Sequence, residues 1–345
     1  MVILSNEKSR FIFASIVSFI FSFSLVPPVH AVPFISKKKE IEIGRSGDKQ
    51  IILQFGLYQD KSLQLYVNKI GQKLVSKLSN KEFRKFHFKL VDSSQINAFA
   101  LPGGYVYVTR GLLAVLNNES ELASVIGHEI AHVTLHHGAK LMIRSIGSQI
   151  LSVGGAIASP KNAGKWLAVS TALFQQINMG YGREAELESD SHGMLNSVEA
   201  GYHPLAMVSF LKNLRKQEIM SGQAYHGFMA SHPETKERIV KGGTFASSLT
   251  RKYTVPIING NIYLQKLQGL VYGGKKHLKD KKKSKSKYLD IFKVQKGDTL
   301  KSISNKIFND DRYSYEIATI NGIKESDTLN PGRLLKIIRE GVYKK

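Results

Sequence analysis

Cysteine is absent from all 345 residues. That excludes a disulfide framework and leaves no thiol for lipid attachment behind an export signal. Acidic side chains are scarce too, 27 against 49 lysines and arginines, for a formal charge of +22 at pH 7. An excess of that sign favours anionic neighbours such as envelope polymers or lipid headgroups, so peripheral membrane contact is compatible with it. It does not point to nucleic acid, because the basic residues are not interleaved with aromatics on one element. Long apolar runs are also rare. "FIFASIVSFIFSFSLV", residues 11–26, falls short of the roughly 20 residues that span a bilayer and stops at Pro27 and Pro28. Lys8 and Arg10 precede it and a small residue, Ala31, closes the segment, the layout of a secretory signal peptide. Residues 1–31 are therefore expected to be removed, leaving a soluble exported protein that relies on its core, or on a metal, for stability.

What is present divides in two. Residues 32–272 are mixed and globular, with hydrophobic content of 42% over the whole chain. "GGKKHLKDKKKSKSK" then opens a lysine-serine stretch, residues 273–290, too polar to offset its chain entropy and expected as a flexible solvated linker. A small unit follows at 291–345. In the first unit, Leu63, Tyr66, Val67, Ile70, Leu74 and Leu78 recur at helical spacing. "FHFKLV" alternates as a strand, and "NAFALPGGYVYVTRGLL" reads as strand, turn, strand. Strands followed mainly by helices predict an α+β domain, mostly helical with a small sheet.

"VIGHEIAHVTLHH", residues 125–137, holds the chemistry. Asn118 and Glu121 make a helix start upstream of it. His128 and His132 are four apart, so on a helix their Cβ atoms lie about 5–6 Å apart on one face and both imidazoles can reach one zinc ion. Glu129 sits beside them, where it can take a proton from water. A His-Glu-x-x-His match arises by chance in about one chain in a hundred of this length. An exposed polar face is the plainer explanation, but Val125, Ile126, Ile130 and Val133 surround the trio and predict burial. Gly127 in mid-helix suggests close packing of another element. His136 and His137, at the helix end, read as cations suited to the dipole.

A third ligand is needed. A histidine six residues beyond His132 after a glycine turn is excluded, since Leu135 and Gly138 occupy those positions. "YGREAELESDSHG" offers Glu184, Glu186 and Glu188. Glu186 and Asp190 are again four apart, so one can bind metal while the other accepts a ring N–H from a ligand histidine. A charged helix surface is the structural alternative.

These segments resemble the HtpX and CAAX-prenyl-protease type of zinc metallopeptidases, gluzincins, in their soluble exported bacterial branch. The resemblance rests on "EIEIGR", "YVNKIGQKLV", "NAFALPGGYVYVTRGLL", "SELASVIGHEIAHV", "REAELESD", "SHPETKERI" and "YLQKLQGLVYG". It implies a zincin-type fold with one zinc per chain on His128, His132 and Glu186, Glu129 as general base and Asp190 behind the ligands. Ser189 departs from the alanine usual there. The resemblance also makes residues 97–104, and Asn97, Ala98, Phe99 and Ala100 in particular, an edge strand for an extended substrate. It brings His232 near the metal, helping the oxyanion or covering zinc at rest, with His226 and His203 as rivals and an ordinary helix start at Ser231 as the bland reading. The apolar pieces at 146–159 and 165–174 are too short to span a membrane and are expected as packed helices with a mobile lid.

"FKVQKGDTLKSISNKIF", "YEIATINGI" and "LNPGRLLKII" predict strand, helix, helix, strand. That pattern resembles a LysM domain over residues 292–338, which implies binding of N-acetylglucosamine-containing glycan, meaning peptidoglycan. Gly297, Asp298 and Thr299 would then line the sugar groove, although a helix cap explains the last two equally well. Together these readings predict a periplasmic zinc endopeptidase of a Gram-negative envelope, anchored to peptidoglycan and acting on unfolded or misassembled envelope proteins. A non-catalytic chaperone-like assembly factor and a peptidoglycan hydrolase are the alternatives.

Overall fold

The computed structural model describes residues 35–79, 85–143, 174–175, 177, 179–221, 227–233, 236–250, 256–274 and 286–344. The expected signal peptide, the expected lid apart from Phe174, most of the expected linker and His226 lie outside them.

Helices α1 (Lys37–Phe55) and α2 (Lys61–Val75) start on the side chains of Ser36 and Asp60. Strands β1 (His87–Val91), β2 (Ala98–Leu101) and β3 (Tyr105–Thr109) form a sheet in the order β1-β3-β2. β1 runs parallel to β3 and β2 antiparallel to it, so β2 is an edge, as expected. Alternation sorts its faces. Ala98, Ala100, Val106 and Val108 join the main core with α2, while Phe99, Leu101, Tyr105 and Tyr107 pack with Ile43 and Ile51 of α1.

The short α3 (Arg110–Val115) leads into α4 (Glu119–Thr134), the histidine helix. Asn118 caps α4, its side chain accepting from the Glu121 N–H at 2.9 Å. Every α4 residue from Glu119 to Val133 is buried, as the apolar flanks of the motif predict. α5 (Arg183–Glu199) crosses it, followed by α6 (Ala206–Ser221), the turn α7 (Phe228–Ser231), α8 (Lys236–Thr250) and α9 (Gly260–Lys266). Among the described residues no helix is long and apolar enough to cross a membrane.

The C-terminal unit consists of β5 (Lys287–Lys293), α10 (Leu300–Phe308), a 3-10 turn, α11 (Ser314–Ile320) and β6 (Leu334–Glu340). This is the expected strand-helix-helix-strand unit, with its own core around Leu300, Ile303, Ile317 and Leu335. One boundary differs. β5 begins at Lys287, inside the stretch expected as linker, and pairs with both β4 (Val271–Tyr272) and β6. The reason is local: past the lysine run, Leu289 is fully buried in the main core, so the polar composition ends before residue 290.

Candidate metal centre

The crossing of α4 and α5 makes the site. A Cβ on Gly127 would lie 2.8 Å from the Gly193 carbonyl oxygen and 2.7 Å from Ser197 Oγ, and one on Gly193 would lie 2.6 Å from the His128 nitrogen. Two glycines therefore let the helix backbones touch. That contact brings Glu186, in the first turn of α5, opposite the two histidines of α4.

His128, His132, Glu186 and His232 form one buried cluster whose ligand atoms all lie within 4.8 Å of one another. His128 Nε2 is 3.0 Å from His132 Nε2, 3.3 Å from His232 Nδ1 and 3.4 Å from Glu186 Oε2. His132 Nε2 is 3.5 Å from Glu186 Oε1, and His232 Nδ1 is 3.1 Å from it. A tetrahedron with metal bonds of about 2.0–2.1 Å has edges of about 3.3–3.4 Å. The spacing and the nitrogen-oxygen donor set therefore fit a metal ion.

Both histidines of α4 are oriented from behind. His128 Nδ1 donates to Asp190 Oδ1 at 2.9 Å. With its Nε2 turned into the cluster, His132 donates from Nδ1 to His137 Nδ1 at 2.9 Å, and His137 donates from Nε2 to Glu188 at 3.1 Å. The fully buried Arg238 of α8 ties the acids together: its Nε and Nη2 donate to Asp190 at 2.7 and 2.8 Å, and Nη1 lies 2.9 Å from Glu186 Oε2. Nη1 also donates to the carbonyls of His232 and Pro233, each at 3.1 Å.

Charge is strongly coupled here. Burial opposes a charged His128, but Asp190 and Glu186 hold its pKa up at about 9. Burial drives His132 well below its ordinary value. Burial opposes ionisation of Glu186 as well, yet His232 and the other imidazoles hold it well below the usual carboxylate range. Glu129 is 0% exposed, and burial raises its pKa. Among the described residues neither of its carboxylate oxygens has a hydrogen-bond partner, nor does His232 Nε2, which lies 3.3 Å from Glu129 Oε1. Unsatisfied buried polar atoms are rare, and these flank the cluster, as expected where a reacting group is to be accommodated.

The edge strand reaches the same place. The Thr109 N–H donates to the Asn97 carbonyl at 3.0 Å, so by alternation Ala98 and Ala100 turn their backbone groups to the free edge. There Tyr181 donates to the Ala100 carbonyl at 3.2 Å while its ring stacks on His132. Asn97 Oδ1 accepts from Ser231 Oγ at 3.1 Å, linking the strand to the segment that carries His232. Ser231 ends α7 instead of starting a helix. His203 is elsewhere, its backbone N–H donating to Ser120 Oγ at 3.1 Å near the start of α4. In the C-terminal unit, Asp298 accepts from the Gln295 N–H at 2.7 Å and Thr299 caps α10 through a capping box. Gly297 and Thr299 are nonetheless exposed.

Sequence reasoning missed three residues of this site. His137 was assigned to a helix end, but it backs His132. Tyr181 carried no signal beyond its place ahead of the acidic helix. Arg238 lies within the "SHPETKER" segment, where only His232 was singled out.

The crossed helices, the edge strand and the buried donor set are those of a zincin-type metallopeptidase. The chain belongs to Peptidase family M48, whose profile matches residues 61–241, and a LysM domain profile matches residues 292–337. Over 226 residues it is 31% identical to the beta-barrel assembly-enhancing protease of Escherichia coli (strain K12), covering 62% of this chain and 45% of that protein. The protein of the same description from Yersinia pestis is 34% identical over 194 residues, 53% of this chain and 39% of its own. The mitochondrial metalloendopeptidase OMA1 of Arabidopsis thaliana is 28% identical over 204 residues, 58% of this chain and 40% of its own. The chain thus spans less than half the length of these relatives.

Proposed function

We propose that the chain is a zinc-dependent endopeptidase of the bacterial periplasm that hydrolyses unfolded or misassembled envelope proteins while its LysM unit is anchored to peptidoglycan. The observation that carries this reading is the convergence of His128, His132 and Glu186 around one point with the unpartnered carboxylate of Glu129 beside it. The relatives' description as proteases, the LysM domain and the signal-like N-terminus support it.

His128, His132 and Glu186 would hold one zinc ion, with Asp190, Arg238 and His137 orienting them. When bound, zinc supplies Lewis acidity that polarises a scissile carbonyl and makes water nucleophilic near neutral pH. Glu129 accepts the proton of the attacking water and delivers it to the leaving amine. Its raised pKa suits both transfers. A substrate strand adds to β2 through the edge-facing backbone groups of Ala98 and Ala100, displacing the Tyr181 hydroxyl from the Ala100 carbonyl, a pairing largely blind to sequence and suited to unfolded segments. His232, the further member of the same buried cluster, would serve as an additional donor to the ion at rest, and its imidazole would have to withdraw for a peptide to enter. Gly297, Asp298 and Thr299 present an exposed turn to N-acetylglucosamine-containing glycan.

The test is casein digestion by the mature protein with and without chelator, beside Glu129→Gln and a metal assay. Digestion that stops with chelator, and with Glu129→Gln at unchanged metal content, is the expected result. Casein left intact while purified sacculi release soluble muropeptides would overturn the reading in favour of a peptidoglycan hydrolase. Full complementation of a deletion strain by Glu129→Gln would favour the chaperone-like role.

A further inference from the structure

The LysM unit is built into the peptidase domain. Lys336, in β6, is fully buried. Its amine donates to the carbonyl oxygens of Ala114, Val115 and Leu116 at 3.0, 3.1 and 2.9 Å. A lysine offers three N–H donors, and the last carbonyls of a helix have no partner within it. In its ammonium form every donor of Lys336 is committed to the C-terminal end of α3, where a cation also suits the helix dipole. The root of this side chain is fixed inside the LysM unit. The Lys336 N–H donates to Asn321 Oδ1, and Asn321 Nδ2 donates to the Lys336 carbonyl, both at 2.8 Å.

Leu116 is the last residue but two before α4. The next residue, Asn117, donates its N–H to Glu121 Oε2 at 2.8 Å, and Asn118 caps the same helix. The clamp on Leu116 therefore fixes the point from which the helix of His128 and His132 departs. Other contacts hold the two units together around it. Lys216 Nζ donates to the Ile323 carbonyl at 2.9 Å. Gly322 adopts φ +67°, and a Cβ there would come within 3.0 Å of the Asn213 side chain. The backbone of Leu289 exchanges hydrogen bonds with Leu270 and Gly269 at 2.9 and 2.8 Å, and both Leu289 and Ile320 belong to the main core. The turn at Gly297 and residues 324–328 stay exposed.

We propose that the LysM unit and the peptidase domain unfold as a single cooperative body, and that Lys336 is a positioning residue through which the LysM unit sets the start of the metal helix. A LysM unit bound to the wall would then present the cleft in one fixed orientation. The proposal rests on the metal-site reading of α4 for its second half only, because unfolding cooperativity is independent of any activity.

Calorimetry of the full-length mature protein tests the first half without any variant. One unfolding transition is expected, and two resolved transitions, one for each unit, would overturn the proposal even if altered proteins fail to fold. For the second half, zinc extraction by a chelator is timed well below the melting temperature in wild type and in Lys336→Met. A roughly tenfold faster loss, of the size seen when groups behind ligands are removed, is expected from Lys336→Met. Ile303→Val in the LysM core should lower the melting temperature yet leave the extraction rate at the wild-type value. Equal rates for Lys336→Met and wild type would show that the contact only adds stability and does not position the metal helix. Metal that never binds wild type would sink the zinc reading while leaving the calorimetric result to stand.

Discussion

The hydroxyl of Tyr181 donates to the carbonyl oxygen of Ala100 at 3.2 Å, and the same ring stacks on His132 with centroids 3.9 Å apart. One side chain therefore covers an imidazole of the cluster and an acceptor that an added peptide strand would use. A neutral hydrogen bond contributes about 1 kcal/mol net. Tyr181→Phe is expected to keep the stack and free the carbonyl, lowering KM for casein by up to about fivefold with kcat and metal content near wild type. Initial-rate assays check this; a raised KM would make the hydroxyl part of substrate binding.

Asp190 accepts from both His128 and Arg238. Asp190→Ala leaves the guanidinium of Arg238 buried with one acid fewer. Breaking a buried pair in this way costs about 3–5 kcal/mol. Loss of the acceptor behind His128 should also weaken zinc binding by about 10–100-fold. Thermal melts and a chelator competition should both report the damage.

Gly127→Ala sets two effects against each other. Alanine improves helix propensity by about 1 kcal/mol. The added methyl, however, meets the Gly193 carbonyl oxygen at 2.8 Å, and a backbone atom cannot swing aside. Overpacking of this kind costs about 1–3 kcal/mol. Net destabilisation is expected, with weakened zinc binding because the spacing of α4 and α5 sets how Glu186 meets the histidines. A denaturant midpoint at or above wild type would contradict that balance.

The distribution of legible and illegible features follows from range. His128, Glu129 and His132 share one helix, so their relationship was contained in a four-residue spacing. Glu186 and Asp190 share another. The cap at Asn118 and the edge strand at 98–101 are likewise local. Arg238 carried no such signal, because its acidic partners, Asp190 and Glu186, lie 48 and 52 residues earlier in the chain and only the folded crossing unites them. His137 was hidden for another reason. His136 adopts φ 57°, turning the chain at the helix end so that its neighbour returns toward His132, a reversal that helical periodicity cannot anticipate. The last residues of the expected linker were misread because composition averages across a boundary that one buried leucine defines.

Burial pulls the pKa of Lys336 down to about 7, with Glu121 acting in the opposite sense. The unfolded chain keeps that proton up to about pH 10.4. Between those values the unfolded state binds more protons, so stability should rise with pH. Above about pH 10 buried tyrosines such as Tyr66, raised by burial, reverse the trend. Melting temperatures of zinc-saturated protein from pH 7 to 9 should climb in wild type and rise less in Lys336→Met. Equal slopes would assign the trend to other groups.

The pairing of Val271 and Tyr272 with Tyr288 and Lys287 bears on any effort to use the LysM unit by itself. Released from its neighbour, that unit would bare the outer flank of β5, with unmatched N–H and C=O groups beside Leu289, which is fully buried in the intact chain. Open flanks of this kind invite chain-to-chain pairing. A carbohydrate probe cut from residues 286–344 should therefore clump unless residues 268–272 are grafted back onto it.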